Sequence, residues 1–388
     1  MTRFVTTALV AAALALAAPA YAAAPPPVEQ LTRIASQVSG LKPKRKIKVV
    51  VTDGSVVERQ ALTFLDRDYP REQQAYDETL YRALGLLNEN EKLRPGLIAG
   101  IRGVRGVYDP VSMTLWARKG ADVRDTLLRQ LVHALQDQYF GLKRVASLRR
   151  GSRDASSAAY AAVDGSAALF SEVVRRRTQA RLAANPRSKL YLDLLASFPS
   201  TTGLRFAASL QNVGGRAAVH SALKRMPETT EQIFHVDAFL ARQQPLPLEL
   251  PTAVGGYELV RDDTFGELDV RALLAVYQVP RLDRVGTGWG AGLSALYRGA
   301  GGAQAVTIRL DWDTERDAQE WSEAVTVLVN EAFDADVPGF PAQTPCEPAT
   351  CWTLGKRGIA FTRTGSRTVL AIAADAPAAA TVATAIVP

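Results

Sequence analysis

Cysteine is almost absent from this chain: two residues in 388, Cys346 and Cys351, with four others between them in CEPATC. No histidine or further cysteine lies nearby, so a tetrahedral metal site there lacks its remaining ligands. In an oxidising compartment the same pair predicts a disulfide closing a small loop. Long apolar runs are also missing. Beyond the N-terminus no stretch of about twenty apolar residues occurs, which leaves the mature chain without a candidate transmembrane anchor. Nucleotide fingerprints are missing too. The glycine cluster Gly286-Thr-Gly-Trp-Gly-Ala-Gly292 has neither their spacing nor their strand–helix context and carries no P-loop lysine, which points to a structural turn. There is no convincing internal repeat.

What is present begins with an export signal. Met1-Thr-Arg3 is followed by the uncharged Ala/Leu/Val run Phe4–Ala18 and then by Ala20-Tyr21-Ala22, an A-x-A site. Residues 1–22 therefore read as a cleavable signal peptide cut after Ala22, and a secreted or periplasmic location follows. No cysteine comes just after the cut, so a lipoprotein anchor is not supported. Export also makes nucleic acid a poor partner, although the net charge of +7 favours anionic surfaces in general. Residues 23–45 form a linker and basic segment. Lys42, Lys44, Arg45, Lys46 and Lys48 cluster ahead of the strand-like Ile47–Val51, either as a solvated strand entry or as a contact for anionic envelope material.

The remainder is 47% hydrophobic and 22% charged over the whole chain, enough for a sizeable core and against bulk disorder. Apolar residues at helical spacing predict helices over 28–38, 56–65, 72–87, 126–140, 154–184, 190–196, 203–210 and 217–223. Asp122 and Asp125 suit the start of the fourth of these. Thr229 or Thr230 suits the start of a short helix containing His235. Residues 100–117 predict a hairpin turning at Tyr108-Asp109-Pro110. Arg175, Arg176, Arg177 and Arg181 read as a solvated helix end. Pro245, Pro247 and Pro251 mark a boundary. After it come a helix at 268–277, strands at 293–297, 305–312, 358–362 and 368–373, a helix at 315–333 and a last Ala-rich helix. The fold class is α+β: a mainly helical domain with a small N-terminal sheet over 46–250, then a smaller α+β domain with an antiparallel sheet over 251–388.

The helix at 126–140, TLLRQLVHALQDQYF, carries Leu128, Leu131 and Leu135 as its apolar stripe. Its run Leu131-Val-His133-Ala-Leu-Gln-Asp137-Gln138 resembles the H-E-L-x-H-A-L-Q-D-Q segment of a group of secreted bacterial zinc metallopeptidase-like proteins of zincin (gluzincin-like) type. Ala162-Val-Asp164-Gly165-Ser-Ala167 resembles that group's L-V-E-G-D-A, Gly106–Pro110 its G-F-Y-D-P, and Glu228–His235 its S-T-E-Q-I-L-H-P. Asp263–Glu267, Gly288–Gly290 and Trp312–Thr314 also fit. The resemblance implies a zincin-like helical domain with a zinc site. It also implies that the working positions have changed. The first ligand position holds Arg129, which donates hydrogen bonds and cannot ligate. The general-base position holds Gln130, which cannot take a proton from zinc-bound water. The third-ligand position holds Asp164, a methylene shorter than Glu, and only His133 keeps its residue type.

Two readings stay open on these residues. One is an exported, catalytically inactive pseudopeptidase without a cofactor, which binds peptide or a cell-envelope component. The other is an active metal-dependent peptidase or hydrolase with a rearranged zinc site that retains His133 and Asp164. An Arg129–Asp164 ion pair with His133 nearby is the expected substitute for the metal as a tie between helices. Asp164 sits in small, apolar company and needs a partner, while Gly165 predicts close packing on a neighbour. By the same resemblance Tyr108, Asp137, Glu231 and His235 are candidates for a groove. Asp137 suits a helix-orienting role, His133 a satisfied buried histidine, and His220 a surface position.

Overall fold

Helical periodicity dominates the chain as far as Ala241, and strand alternation takes over from Ala253. The computed structural model describes residues 27–120, 123–148, 151–171, 186–333, 342–354 and 357–387. The expected leader with its cut after Ala22, Asp122, the arginines at 175–177 and 181, and the end of the helix expected to reach 184 lie outside the described residues.

The first helix, α1 (Val28–Ser39), buries Leu31 and Ala35 and stops at Gly40, whose φ of 72° makes the left-handed cap that glycine tolerates. Strand β1 (Lys48–Thr52) precedes α2 (Gly54–Asp68), α3 (Arg71–Ala83) and α4 (Leu93–Ile101). The last of these has no counterpart in the expected pattern. Its Pro95 stands in the first turn, where a missing N–H leaves no helical hydrogen bond unmade. The hairpin is shorter than expected: β2 (Gly106–Asp109) and β3 (Thr114–Arg118) flank a turn at 110–113. Tyr108 and Asp109 thus belong to the strand. The turn is displaced because the Asp109 carboxylate accepts the N–H groups of Val111 and Ser112 at 3.1 and 3.0 Å. Strand β1 pairs in parallel with β3, giving a three-stranded sheet of order β1-β3-β2.

Four helices then build the first core: α5 (Val123–Phe140), α6 (Lys143–Leu148), α7 (Arg153–Ser171) and α8 (Pro186–Lys224). The expected helices at 190–196 and 203–210 are one, running through Pro199. A real break comes at Gly214 and Gly215, where Gly215 has φ 61° and ψ −159°, a conformation open to glycine alone. Helices α7 and α8 touch backbone to backbone. A Cβ on Gly165 would overlap the main chain of Gly203, and one on Gly203 would overlap Ala161. Leu31, Leu115, Leu131, Leu135, Phe198 and Phe206 fill the core between these helices, α1 and β3. Two short helices, α9 (Thr230–Phe234) and α10 (Val236–Ala241), close this part, with the Thr229 hydroxyl accepting from Gln232 N at the α9 N-terminus.

The remaining elements are β4 (Ala253–Val254), β5 (Tyr257–Thr264), α11 (Glu267–Val276), α12 (Leu282–Thr287), β6 (Trp289–Arg298), β7 (Gln304–Trp312), α13 (Glu315–Phe333), β8 (Ala342–Cys346), β9 (Ala349–Leu354), β10 (Arg357–Thr364), β11 (Arg367–Ala373) and α14 (Ala376–Ile386). The strands form an eight-stranded antiparallel sheet of order β4-β5-β6-β7-β11-β10-β9-β8. The glycine cluster is therefore only partly a turn: Leu282–Thr287 ends as a helix and Trp289–Gly292 opens β6. Cys346 and Cys351 form the expected disulfide across the β8–β9 hairpin.

Strand alternation sorts the sheet's two faces. Ala295, Tyr297, Ala305, Val369 and Ala371 face α14, whose Ala376, Ala379 and Ala383 let helix and sheet approach closely. Leu296, Ile308, Leu310, Leu370 and Ile372 face the other way, toward Trp321, Val325 and Leu328 of α13. That second core also takes in Tyr76, Leu80 and Tyr81 of α3, together with Leu84 and Tyr191. The proline-rich stretch at 245–251 marks the change from helix to sheet, while the apolar core runs across it. Tyr76 also donates its hydroxyl to Ser294 on β6 at 2.8 Å. At about 1.5–3 kcal/mol per fully buried large apolar side chain, α3 contributes substantially to a core made mostly by later residues.

Candidate functional site

A helix that is buried on most sides must satisfy whatever polar groups it carries inward. Helix α5 is such a helix: from Leu127 to Asp137 only Gln130 escapes full burial. Three of its polar residues find partners on α7, which crosses it. Arg129 Nη2 lies 2.7 Å from Asp164 Oδ2 and donates to the Asp164 carbonyl at 3.3 Å. His133, one turn on, places Nε2 3.4 Å from Asp164 Oδ1. Both carboxylate oxygens thus face donors on α5, and Arg129 and Asp164 are each about 95% buried. A second tie runs beside it, with Gln136 Nε2 donating to Ser166 Oγ at 2.9 Å and Ser166 donating to Val163 O. The expected Arg–Asp pair with its neighbouring histidine is present. Gln136 and Ser166 were not singled out by the sequence, although Gln136 is one turn beyond His133 on the same helix.

This donor set does not fit a catalytic zinc ion, which takes three protein ligands and an open position for water. His133 and Asp164 supply two ligand types, and a guanidinium already holds one carboxylate oxygen. Among the described residues no group of three or more His, Cys, Asp or Glu side chains is placed to hold a metal.

The four groove candidates fall into two groups. Tyr108 donates its hydroxyl to Asp137 Oδ2 at 2.8 Å, and Asp137 Oδ1 accepts Leu142 N at 2.8 Å. Burial and the adjacent Asp137 charge push the Tyr108 phenol well above its ordinary value. Asp137 thus orients the end of α5 and fastens β2 to it, eight residues and about 12 Å along the helix from Arg129.

Glu231 and His235 belong to a second, acid-rich cluster at the meeting of α7, α9 and α11. His235 Nε2 lies 3.0 Å from Glu267 Oε1, which raises the histidine pKa. Arg271 Nε donates to the same oxygen at 2.6 Å. Glu267 Oε2 is buried with no hydrogen-bond partner among the described residues. Glu231 accepts from Gln243 Nε2 at 3.2 Å. Burial, followed by the charges of Glu267 and Asp313, pushes its carboxyl up to about 7. Behind it, Asp154 accepts the N–H of Thr230 at 2.9 Å and its hydroxyl at 2.5 Å, and burial pushes that carboxyl up to about 7 as well. Next along the chain, Arg153 is buried against Asp77 at 2.9 Å and Asp269 at 3.3 Å. Asp154, Glu267, Arg271 and Asp313 were not named as site residues from the sequence. Three of the resembling blocks, 228–235, 263–267 and 312–314, nevertheless converge here, and their recurrence was the available signal.

His220 is a correction. It is half-buried, packed between the rings of Phe140 and Phe170, and its Nε2 lies 3.0 Å from Ser39 O. The short α1 brings Ser39 over it, a contact 181 residues distant in sequence.

Fold and site together define an α+β protein whose helical part holds a buried Arg–Asp–His cluster. A family model described as "Domain of unknown function (DUF8575)" matches residues 255–383, from just before β5 into α14. That span leaves α5 and α7 outside it. No curated protein and no solved structure matches the chain.

Proposed function

We propose that this chain is an exported, non-catalytic protein on a metallopeptidase-like helical scaffold, with a binding or scaffold role at the cell envelope. The observation that carries this reading is the 2.7 Å contact between Arg129 and Asp164. A permanent cation stands at the first ligand position of the resembling segment and engages the carboxylate at the third. Gln130 supplies no base, and a missing general base alone costs about 10²–10⁴-fold in rate. The Cys346–Cys351 disulfide fits an oxidising compartment. No helix among the described residues is long and apolar enough to cross a membrane. Exposed peptide or envelope material is the ligand class that suits such a location.

The test measures zinc content and peptide hydrolysis on the same purified protein. The expected outcome is neither stoichiometric zinc nor cleavage, and stoichiometric zinc with chelator-sensitive cleavage overturns the proposal in favour of a rearranged active site. The triple variant Arg129→His, Gln130→Glu, Asp164→Glu is expected to gain zinc. If it folds and gains none, the metallopeptidase-like scaffold is itself the wrong frame.

A further inference from the structure

Three segments distant in sequence end at one edge of the molecule. Lys48 is the register partner of Thr114 in the parallel β1–β3 pair, so the residues before each of them leave the small sheet at the same end. That places the basic segment 42–48 beside the 110–113 turn. The end of α5 joins them. Gln138 Oε1 accepts the N–H groups of Lys44 and Arg45 at 2.7 and 3.2 Å, and Gln138 Nε2 donates to Arg45 O at 3.1 Å. Lys44 Nζ lies 3.7 Å from the centre of the Tyr139 ring. The basic segment is thus fastened down: Lys44 folds back onto the end of α5, its Nζ also donating to Gln138 O at 3.1 Å, while Lys42, Lys46 and Lys48 stay exposed.

The chemistry of this edge is one-sided. Residues 42–48 hold five Lys or Arg and residues 138–144 hold two more, and neither these segments nor 110–113 contains an Asp or Glu. Lys42, Lys44, Arg45, Lys46 and Lys48 are all exposed. The nearby acids are engaged inward: Asp137 holds Tyr108 and approaches Arg45 at 3.9 Å, and Asp109 pairs with Arg67 at 2.8 Å. Among these cations stand exposed apolar side chains, Val111 at 44%, Met113 at 41% and Tyr139 at 39%. The turn presents Val111 and Met113 at its tip and is braced by the Asp109 carboxylate.

We infer that this edge docks the protein on an anionic phospholipid surface, with the lysines at the headgroups and Val111, Met113 and Tyr139 in the interface. Cations alone would suit any polyanion. The apolar tip beside them favours a bilayer, where buried apolar area and headgroup attraction add. The inference goes beyond the non-catalytic reading, since an active hydrolase would dock in the same way.

The test is co-sedimentation of the full chain with vesicles of phosphatidylcholine alone or with one-third phosphatidylglycerol. Residues 1–22 are common to wild type and every variant, so the decisive readout is the change between them on each kind of vesicle. Wild type is expected to prefer the anionic vesicles, and less so as salt rises. Each cation near such a surface contributes about fivefold. Lys42→Gln, Lys46→Gln and Lys48→Gln together therefore cost about a hundredfold, and they leave the Gln138 contacts intact. Val111→Ser with Met113→Ser is expected to weaken vesicle binding while retention on immobilised polyphosphate stays unchanged. No preference for anionic vesicles overturns the inference. So does vesicle binding that ignores the serine substitutions, which would make the partner a soluble polyanion.

Discussion

Two of the places where the described residues bury carboxylates treat them differently. At the α5–α7 crossing, Asp164 has a guanidinium at 2.7 Å and a histidine at 3.4 Å. At the α7–α9–α11 junction, Asp154 takes its two hydrogen bonds from the neutral Thr230, and Glu231 has Glu267 and Asp313 for neighbours. A buried acid given its own cation becomes a fixed tie between helices. Acids buried without a cation of their own, and then set near other acids, hold their protons to about pH 7 and become sensitive to the medium.

The largest effect expected from this contrast is at the first place. Arg129→Ala leaves a buried carboxylate without its cation and should cost about 3–5 kcal/mol. Arg129→Met with Asp164→Leu removes both charges and should recover most of that loss. Urea denaturation followed by circular dichroism checks both. If the single and double variants are equally unstable, packing rather than charge holds α5 to α7.

The second place should respond to pH instead. The Asp154 and Glu231 carboxyls have folded values near 7, above their ordinary 3.8 and 4.5. Their protonated forms therefore contribute stability that is fully present at about pH 4 and lost as pH climbs through about 7. His235, raised by Glu267, is likewise protonated to higher pH and loses its contribution in the same direction. For the buried Asp154 the loss is on the order of 2–4 kcal/mol. Urea midpoints between about pH 5 and pH 8 should fall in the wild type and fall less steeply in Asp154→Asn, where Glu231 and His235 remain. An unchanged slope in that variant would place the titration elsewhere. The smallest effect concerns what brings Asp164 to α5. Gly165→Ala pushes a methyl into the backbone of Gly203 and should cost about 1–3 kcal/mol, read as a fall in melting temperature.

Local chemistry was legible where one element contains it. The i, i+4 spacing of Arg129 and His133 fixes both on one side of a helix before any partner is known, and an aspartate amid alanines declares that it needs one. The two cysteines declared their bond. The α7–α9–α11 cluster was less legible, because the His235–Glu267 contact spans 32 residues and forms only when β5 returns Gly266 to Asp154. Strand β5 itself was missed. Its exposed positions 258, 260 and 262 alternate with half-buried 257, 259 and 261, but Val260 faces out and Arg261 in, a pattern that a hydrophobic count passes over. The large sheet was visible only as four of its eight strands. The joint core was not visible at all, since helical spacing in α3 says which face is apolar and not what that face meets.

The sharing of Tyr76, Leu80, Tyr81 and Leu84 with the large sheet has a consequence for where the chain can be divided. The family match begins at 255, which invites cutting there. Such a fragment would keep α13 on its sheet but lose Tyr76, Leu80, Tyr81 and Leu84, opening to water the part of the core that these side chains share. A nick in the exposed proline stretch at 244–247 is a different event: the peptide bond is lost and the shared core is kept, so the halves stay together as a two-chain protein.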